Sequence, residues 1–163
     1  MDAMIKVQRE DFDVGAELER LTAGRQDIGG VASFVGLVRD LVGKPGAGGK
    51  AISAMTLEHY PGMTEKKLAE IEAEAARRWP LAASLIIHRY GRLEPGERIV
   101  LVATASAHRQ AALEACAFLI DWLKTQAPFW KLEETAAGAE WVEARESDDA
   151  AAERWRKRRD VAE

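Results

Sequence analysis

The chain has a single cysteine, Cys116, which excludes an internal disulfide framework and any cysteine cluster for a metal. Its three histidines, His59, His88 and His108, lie far apart in the sequence, so no histidine-built metal site and no cofactor are expected. No apolar run approaches the roughly 18 residues of a membrane span, and the start, MDAMIKVQREDFD, has no apolar signal region. A reducing, cytoplasmic setting is therefore expected, without a membrane. Positive charge is not in excess either. With 23 Lys and Arg against 27 Asp and Glu, the net charge is −4, and nothing global points to nucleic acid. The basic stretch RWRKRRD lies in the tail, and basic residues are not interleaved with aromatics elsewhere. The glycine-rich stretch DLVGKPGAGGK matches neither a phosphate-binding G-x-x-x-x-G-K-[ST] loop nor a dinucleotide fingerprint. Internal repeats are absent.

What is there describes one ordinary domain. A length of 163 residues with 47% hydrophobic and 31% charged residues suits a single buried core, assigned to 1–155, with a charged, frayed tail at 156–163. Ile5 to Gln8 suggests a short strand and Val14 to Leu21 a helix capped by Asp13. Gly30 to Arg39 reads as a mostly buried strand that runs into a mobile glycine-rich loop. ISAMTLEHY is a second strand ending in a Tyr60-Pro61-Gly62 turn, and Thr64 to Trp79 an amphipathic helix burying Leu68, Ile71 and Ala75. Ala83 to Gly91 and Arg98 to Ser106 are the clearest strands, joined through RLEPGE as a hairpin or near-hairpin. Two short strands, Trp130 to Glu134 and Glu140 to Ala144, follow a long helix. Strands and helices mix without strict alternation, so the class is α+β.

The long helix poses the chemical question. In AHRQAALEACAFLIDWLKTQAPFWKLEE, Leu113, Cys116, Ala117, Ile120 and Leu123 mark an apolar stripe, and Lys124 falls inside it. Phe118, Leu119 and Trp122 lie on the far side, so the helix is apolar over most of its circumference and suits burial against two neighbours or against a core and a partner chain. Lys124 has an ordinary explanation, a snorkelling cation at a helix C-terminus, and Lys131 can be a solvated strand lysine. His108 and Arg109 open the helix, where exposed N–H groups attract an anion such as phosphate. Arg39 ends a strand before the glycine-rich loop. Cys116, within the apolar stripe, reads as inert core. The chemistry on offer is a cluster of cations without a nucleophile.

These segments together resemble the catalytic subunit of molybdopterin synthase. The resemblance is carried by FVGLVRD, TLEHYPGMTEKKLAEI, RWPL, IHRYGRLEPGE, SAHRQAALEA, DWLKTQAPFWKLE and WVEARESD, from about Ile28 to Trp155. It implies an α/β-hammerhead-like fold with an antiparallel sheet subdomain and packed helices. It also implies a sulfurtransferase of molybdenum cofactor biosynthesis that turns cyclic pyranopterin monophosphate into molybdopterin. The two sulfurs come as a thiocarboxylate on the C-terminal Gly-Gly of a small ubiquitin-like sulfur-carrier subunit, and the implied assembly is a homodimer within a heterotetramer. By the same resemblance Lys124 and Lys131 are the catalytic lysines. Leu37, Val38, Arg39, His108, Arg109, Lys124, Lys131, Leu132 and Glu133 form the substrate pocket. Two departures from the family pattern, an enlarged loop at Gly43 to Gly49 and the RKRRDVAE extension, touch none of these residues. The alternative is a non-catalytic module that binds a phosphorylated small molecule or a partner's C-terminus with the same cations.

Overall fold

The computed structural model describes residues 2–42, 50–142 and 149–156. In chain order the elements are β1 (Asp2–Gln8), α1 (Val14–Thr22), β2 (Gly30–Leu37), β3 (Leu41–Val42), β4 (Lys50–His59) and α2 (Met63–Arg78). There follow β5 (Leu81–Arg89), β6 (Gly91–Leu93), β7 (Arg98–Ser106), α3 (Arg109–Gln126), β8 (Phe129–Thr135) and β9 (Gly138–Val142). Residues 149–156 are helical. The class is α+β, built on two sheets.

The first sheet has the order β1-β5-β7-β2, with β1 parallel to β5 and the other pairs antiparallel. LAASLIIHR and RIVLVATAS are apolar almost throughout because their strands are covered on both faces. Leu85, Ile87, Leu101 and Ala103 face one way and bury Phe12 and the apolar side of α1. Ile86, Val100 and Val102 face the other way, into the main core with Leu68, Ile71, Ala112, Phe118 and Leu119 of α2 and α3. Asp13 caps α1 as its sequence suggests, its Oδ1 accepting from the Ala16 N–H at 2.9 Å. At the start of α2 the Glu65 carboxylate accepts from the Gly62 N–H at 2.7 Å, and Gly62 holds φ +84°, where a side chain would be strained.

The second sheet is antiparallel, ordered β3-β4-β8-β9 with β6 also pairing to β4. Its inner face sends Met55, Leu57 and Leu93 into the main core. Its outer face exposes Trp130 and Trp141, with Trp130 against the exposed Tyr60 at 4.8 Å.

Two expectations change, and one gains a further strand. The strand from Gly30 is not mostly buried: β2 is the edge of the first sheet, and Val31, Phe34 and Leu37 are exposed. β5 and β7 pair antiparallel, as the near-hairpin requires, and the segment joining them adds β6, whose residues cross to the second sheet. Gly91 begins that crossing at φ +92°. The glycine-rich stretch expected to be mobile is in part paired strand, Leu41 and Val42 lying opposite Ala51 and Lys50, while residues 43–49 lie outside the described residues. So do residues 143 and 144 of the last expected strand and 157–163 of the tail.

Candidate active site

Helix α3 and its N-cap set the positions of three site residues, His108, Arg109 and Lys124. Its buried side is Ala112, Ala115, Cys116, Leu119 and Leu123, with Phe118 beside them. The stripe around Leu113 is split by the fold: Cys116 and Leu123 are buried, while Leu113, 62% exposed, faces away from the core with the exposed Ala117 and Lys124. The reason is that the opposite side is richer still in large apolar groups, and the helix turns Phe118, Leu119 and Leu123 inward. Lys124 is thus not a lysine in a core slot. It is a lysine at the end of an outward face that carries Leu113 and half-buried Ile120.

Lys131 stands on β8 opposite Leu57, and Glu133 opposite Met55, so both lie on the inner face of the second sheet. Glu133 is buried at 8% exposure, and its Oε1 lies 3.4 Å from the Lys131 Nζ. That oxygen accepts no hydrogen bond of good geometry. The buried carboxylate thus leaves an acceptor open beside the lysine. Leu132 is half-buried and points to the other face.

His88 and His59, expected to stand apart, come together around Phe129. The His88 ring stacks on Phe129 with centroids 3.7 Å apart and planes 17° from parallel. His59 is tilted against the same ring at 6.1 Å and against Tyr90 at 4.4 Å. Fully buried, His88 donates from Nδ1 to the Arg89 carbonyl at 2.8 Å, since a carbonyl can only accept. Burial is the main cause that takes its pKa down to about 3; the hydrogen bond opposes this, and the charges of Lys124 and His59 reinforce it. The Lys124 ammonium therefore lies within electrostatic reach of this ring. Sequence spacing could not pair His88 with Phe129, because they belong to different sheets; the only signal was an aromatic pair directly after a helix-ending proline.

The remaining cations divide between the two ends of the molecule. His108 is the N-cap of α3 and Arg109 its first residue, both exposed. They sit beside Gly30, whose added Cβ would lie 3.7 Å from the Arg109 Cα. Leu37 is at the far end of β2, paired with Arg98, and the buried Val38 and exposed Arg39 follow it. Lys124 is fifteen residues along α3 from Arg109, about 22 Å at the helical rise. It lies near the Leu37 end, since the His88 ring that feels its charge pairs with Val100, two residues from Arg98. One copy of the chain thus brings Lys124, Lys131 and Glu133 to one end, with Leu37 to Arg39 towards it, and leaves His108 and Arg109 at the other.

Cys116 is buried as expected, and burial pushes its thiol up to about 11. Among the described residues, no group of three or more His, Cys, Asp or Glu side chains is arranged to hold a metal ion. No helix among them is long and apolar enough to cross a membrane.

Fold and site define an α+β protein with two lysines and a buried carboxylate towards one end, where its two sheets meet. The model of the family described as MoaE protein matches residues 7–126. The chain is 58% identical over 151 residues to the molybdopterin synthase catalytic subunit of Pseudomonas aeruginosa, covering 93% of this chain and 97% of that one. It is 55% identical over 154 residues to the protein of the same name from Mesorhizobium japonicum, covering 93% and 92%. Among solved structures, the molybdopterin biosynthesis MoaE protein of Burkholderia ambifaria superposes with a TM-score of 0.78 at 51% identity, over 95% of this chain and 98% of that one. A complex of subunits 1 and 2 of the molybdopterin-converting factor from Helicobacter pylori, at 21% identity and TM-score 0.68, shares the fold. The chain belongs to the MoaE protein family.

Proposed function

We propose that this chain is the catalytic subunit of a molybdopterin synthase, moving two sulfurs from the C-terminal thiocarboxylate of a small ubiquitin-like subunit to cyclic pyranopterin monophosphate. The observation that carries the reading is the arrangement of Lys124, Lys131 and buried Glu133 at one end of the molecule, within a chain whose relatives bear that name over nearly their whole length. No cysteine is needed, since the sulfur arrives on the partner, and the thiol of Cys116 is held protonated in the core. In each transfer the thiocarboxylate sulfur bonds to a side-chain carbon of the pterin, and the oxygen displaced from that carbon leaves as it takes up a proton. Water then cleaves the acyl C–S bond, so that the partner is released as a carboxylate and the sulfur stays on the pterin. Lys124 and Lys131 then serve the proton transfers and the developing negative charge. Lysine suits this role because it can lose and regain a proton, whereas arginine stays charged.

The substrate phosphate calls for His108 and Arg109 at the start of α3, assisted by Arg39. At about 22 Å they cannot share one small-molecule pocket with Lys124 of the same copy. A second copy resolves the distance. The exposed edge of β2, with Val31, Phe34 and Leu37, and the outward stripe of α3 offer apolar surface for a two-fold contact. In such a homodimer each site takes its lysines from one protomer and its phosphate ligands from the other, and a small subunit docks at each end in the cytoplasm. Its side-chain-free Gly-Gly tail suits a narrow approach to the lysines. The test is formation of the dithiolene product with a thiocarboxylated partner. Turnover with the intact partner and none with a partner lacking the terminal Gly-Gly is expected. Phosphate-dependent binding without turnover would favour the non-catalytic module.

A further inference from the structure

Lys124 and Lys131 are seven residues apart, and between them the chain leaves α3, turns through Ala127 and Pro128, and enters β8. The turn is tied on the helix side by the Ala127 N–H to the Leu123 carbonyl at 3.2 Å, and internally by the Phe129 N–H to the Ala127 carbonyl at 2.9 Å. On the strand side it is held by its side chain. Phe129 lies flat on His88, with His59 against it as well. The His88 ring is itself fixed, buried near the end of β5 and tied through Nδ1 to the Arg89 carbonyl. His59 is fixed too. The Thr64 hydroxyl donates to the Tyr60 carbonyl at 2.8 Å, so it accepts from the His59 Nδ1 at 3.2 Å. The first sheet thereby supplies a rigid flat surface, and the first residue of the lysine-bearing strand in the second sheet rests on it.

We propose that His88 is a positioning residue for the lysine pair: its stack on Phe129 fixes where β8 begins relative to the end of α3, and so sets the spacing of Lys124 and Lys131. Sulfur transfer needs both amines placed against the same small substrate, and a displacement of about 1 Å costs on the order of 100-fold in rate. A histidine serves better here than a charged or flexible group. Its buried, neutral ring stacks on an aromatic without bringing a second positive charge up to Lys124. The catalytic consequence rests on the sulfur-transfer reading above; the geometric claim does not.

Two variants separate the ring from its hydrogen bond. His88→Phe keeps a flat ring against Phe129 and loses the donor to Arg89, while His88→Asn keeps a donor and loses the stack. Two readouts separate position from activity. The first is the rate at which Lys124 and Lys131 are acetylated by a small amine-reactive ester, measured by mass spectrometry against Lys66 and Lys67 of α2 as internal references. The second is kcat and KM for sulfur transfer. His88→Asn is expected to shift the relative labelling of the two lysines by at least about threefold and to lower kcat about tenfold or more, with KM changed less than about threefold. His88→Phe is expected to recover the wild-type labelling ratio and come within about fivefold of its kcat. Unchanged labelling in His88→Asn, failure of the phenylalanine to rescue, or kcat falling only in step with melting temperature in both variants overturns the proposal. If labelling shifts and recovers as described but the wild-type protein transfers no sulfur, the positioning claim stands and the functional reading fails.

Discussion

The two ends of α3 have opposite surroundings. At the N-terminal end, His108 and Arg109 are exposed beside the open helix start, and little packs against them. At the C-terminal end, Lys124 neighbours a fitted group of side chains in which His88, Phe129, His59 and Tyr90 are in ring contact and Glu133 is buried beside Lys131. In the proposed function the contrast separates two jobs. Holding a phosphate needs charge and N–H donors, which tolerate an open, adaptable setting. Moving protons needs groups held to within a fraction of an ångström. Substitutions at the C-terminal end are therefore expected to damage rate, and those at the N-terminal end to damage affinity.

The largest effect is expected at Lys124. Both Lys124→Met and Lys124→Arg should fold and bind the small subunit, yet lose at least ~100-fold in single-turnover rate, as for a lost acid–base group. An arginine variant near the wild-type rate would reduce Lys124 to a fixed charge and blur the contrast. Next, Arg109→Ala should weaken substrate binding about tenfold or more through the lost charge-assisted contacts. Its melting temperature should stay near wild type, since the side chain is exposed. If melting temperature and activity fall together, Arg109 is structural.

A smaller effect concerns pH. Below about pH 6.5 the unfolded chain protonates His88, whereas the folded chain refuses that proton until about pH 3. This contribution to stability is complete at pH 7 and is lost as the pH falls through that window, by up to ~1.4 kcal/mol per pH unit. Glu72, whose carboxyl is raised by burial, works in the opposite sense. The informative quantity is thus the difference between wild type and His88→Phe in urea unfolding at pH 7 and pH 5, where the variant should lose less. The smallest effect is at Cys116: in the native protein at pH 8 it should resist iodoacetamide, its thiol buried and pushed up to about 11.

Much of the fold was legible where local signals agree with burial. The Asp13 cap, the Leu68–Ile71–Ala75 face of α2 and the two apolar strands β5 and β7 all lie where periodicity and turn residues put them. The errors share one cause. An exposed apolar residue at an edge looks the same in sequence as a buried one. Val31, Phe34 and Leu37 made β2 look mostly buried, and Leu113 and Ala117 widened the apolar stripe of α3 from the buried Cys116 and Leu123 onto an exposed side. Both surfaces suit a second copy of the chain, which a single sequence does not display. The lysines and the helix-start cations were legible as residue types, and their roles came from the family resemblance. Their distribution over two ends, and the His88–Phe129 contact between sheets, depend on long-range pairing that periodicity does not encode.

The central claim is that each working site takes its lysines from one protomer and its phosphate-binding residues from another. Complementation between two crippled variants tests it. Lys124→Met and Arg109→Ala are each unfolded and refolded together in equal amounts, so that protomers assort at random, and sulfur transfer is then assayed with the thiocarboxylated small subunit. With sites shared between protomers, half the dimers are mixed and each holds one intact site, so about a quarter of the wild-type activity should return. With each site built from a single protomer, every site keeps one defect. Activity no higher than the sum of the two separate variants would contradict the account.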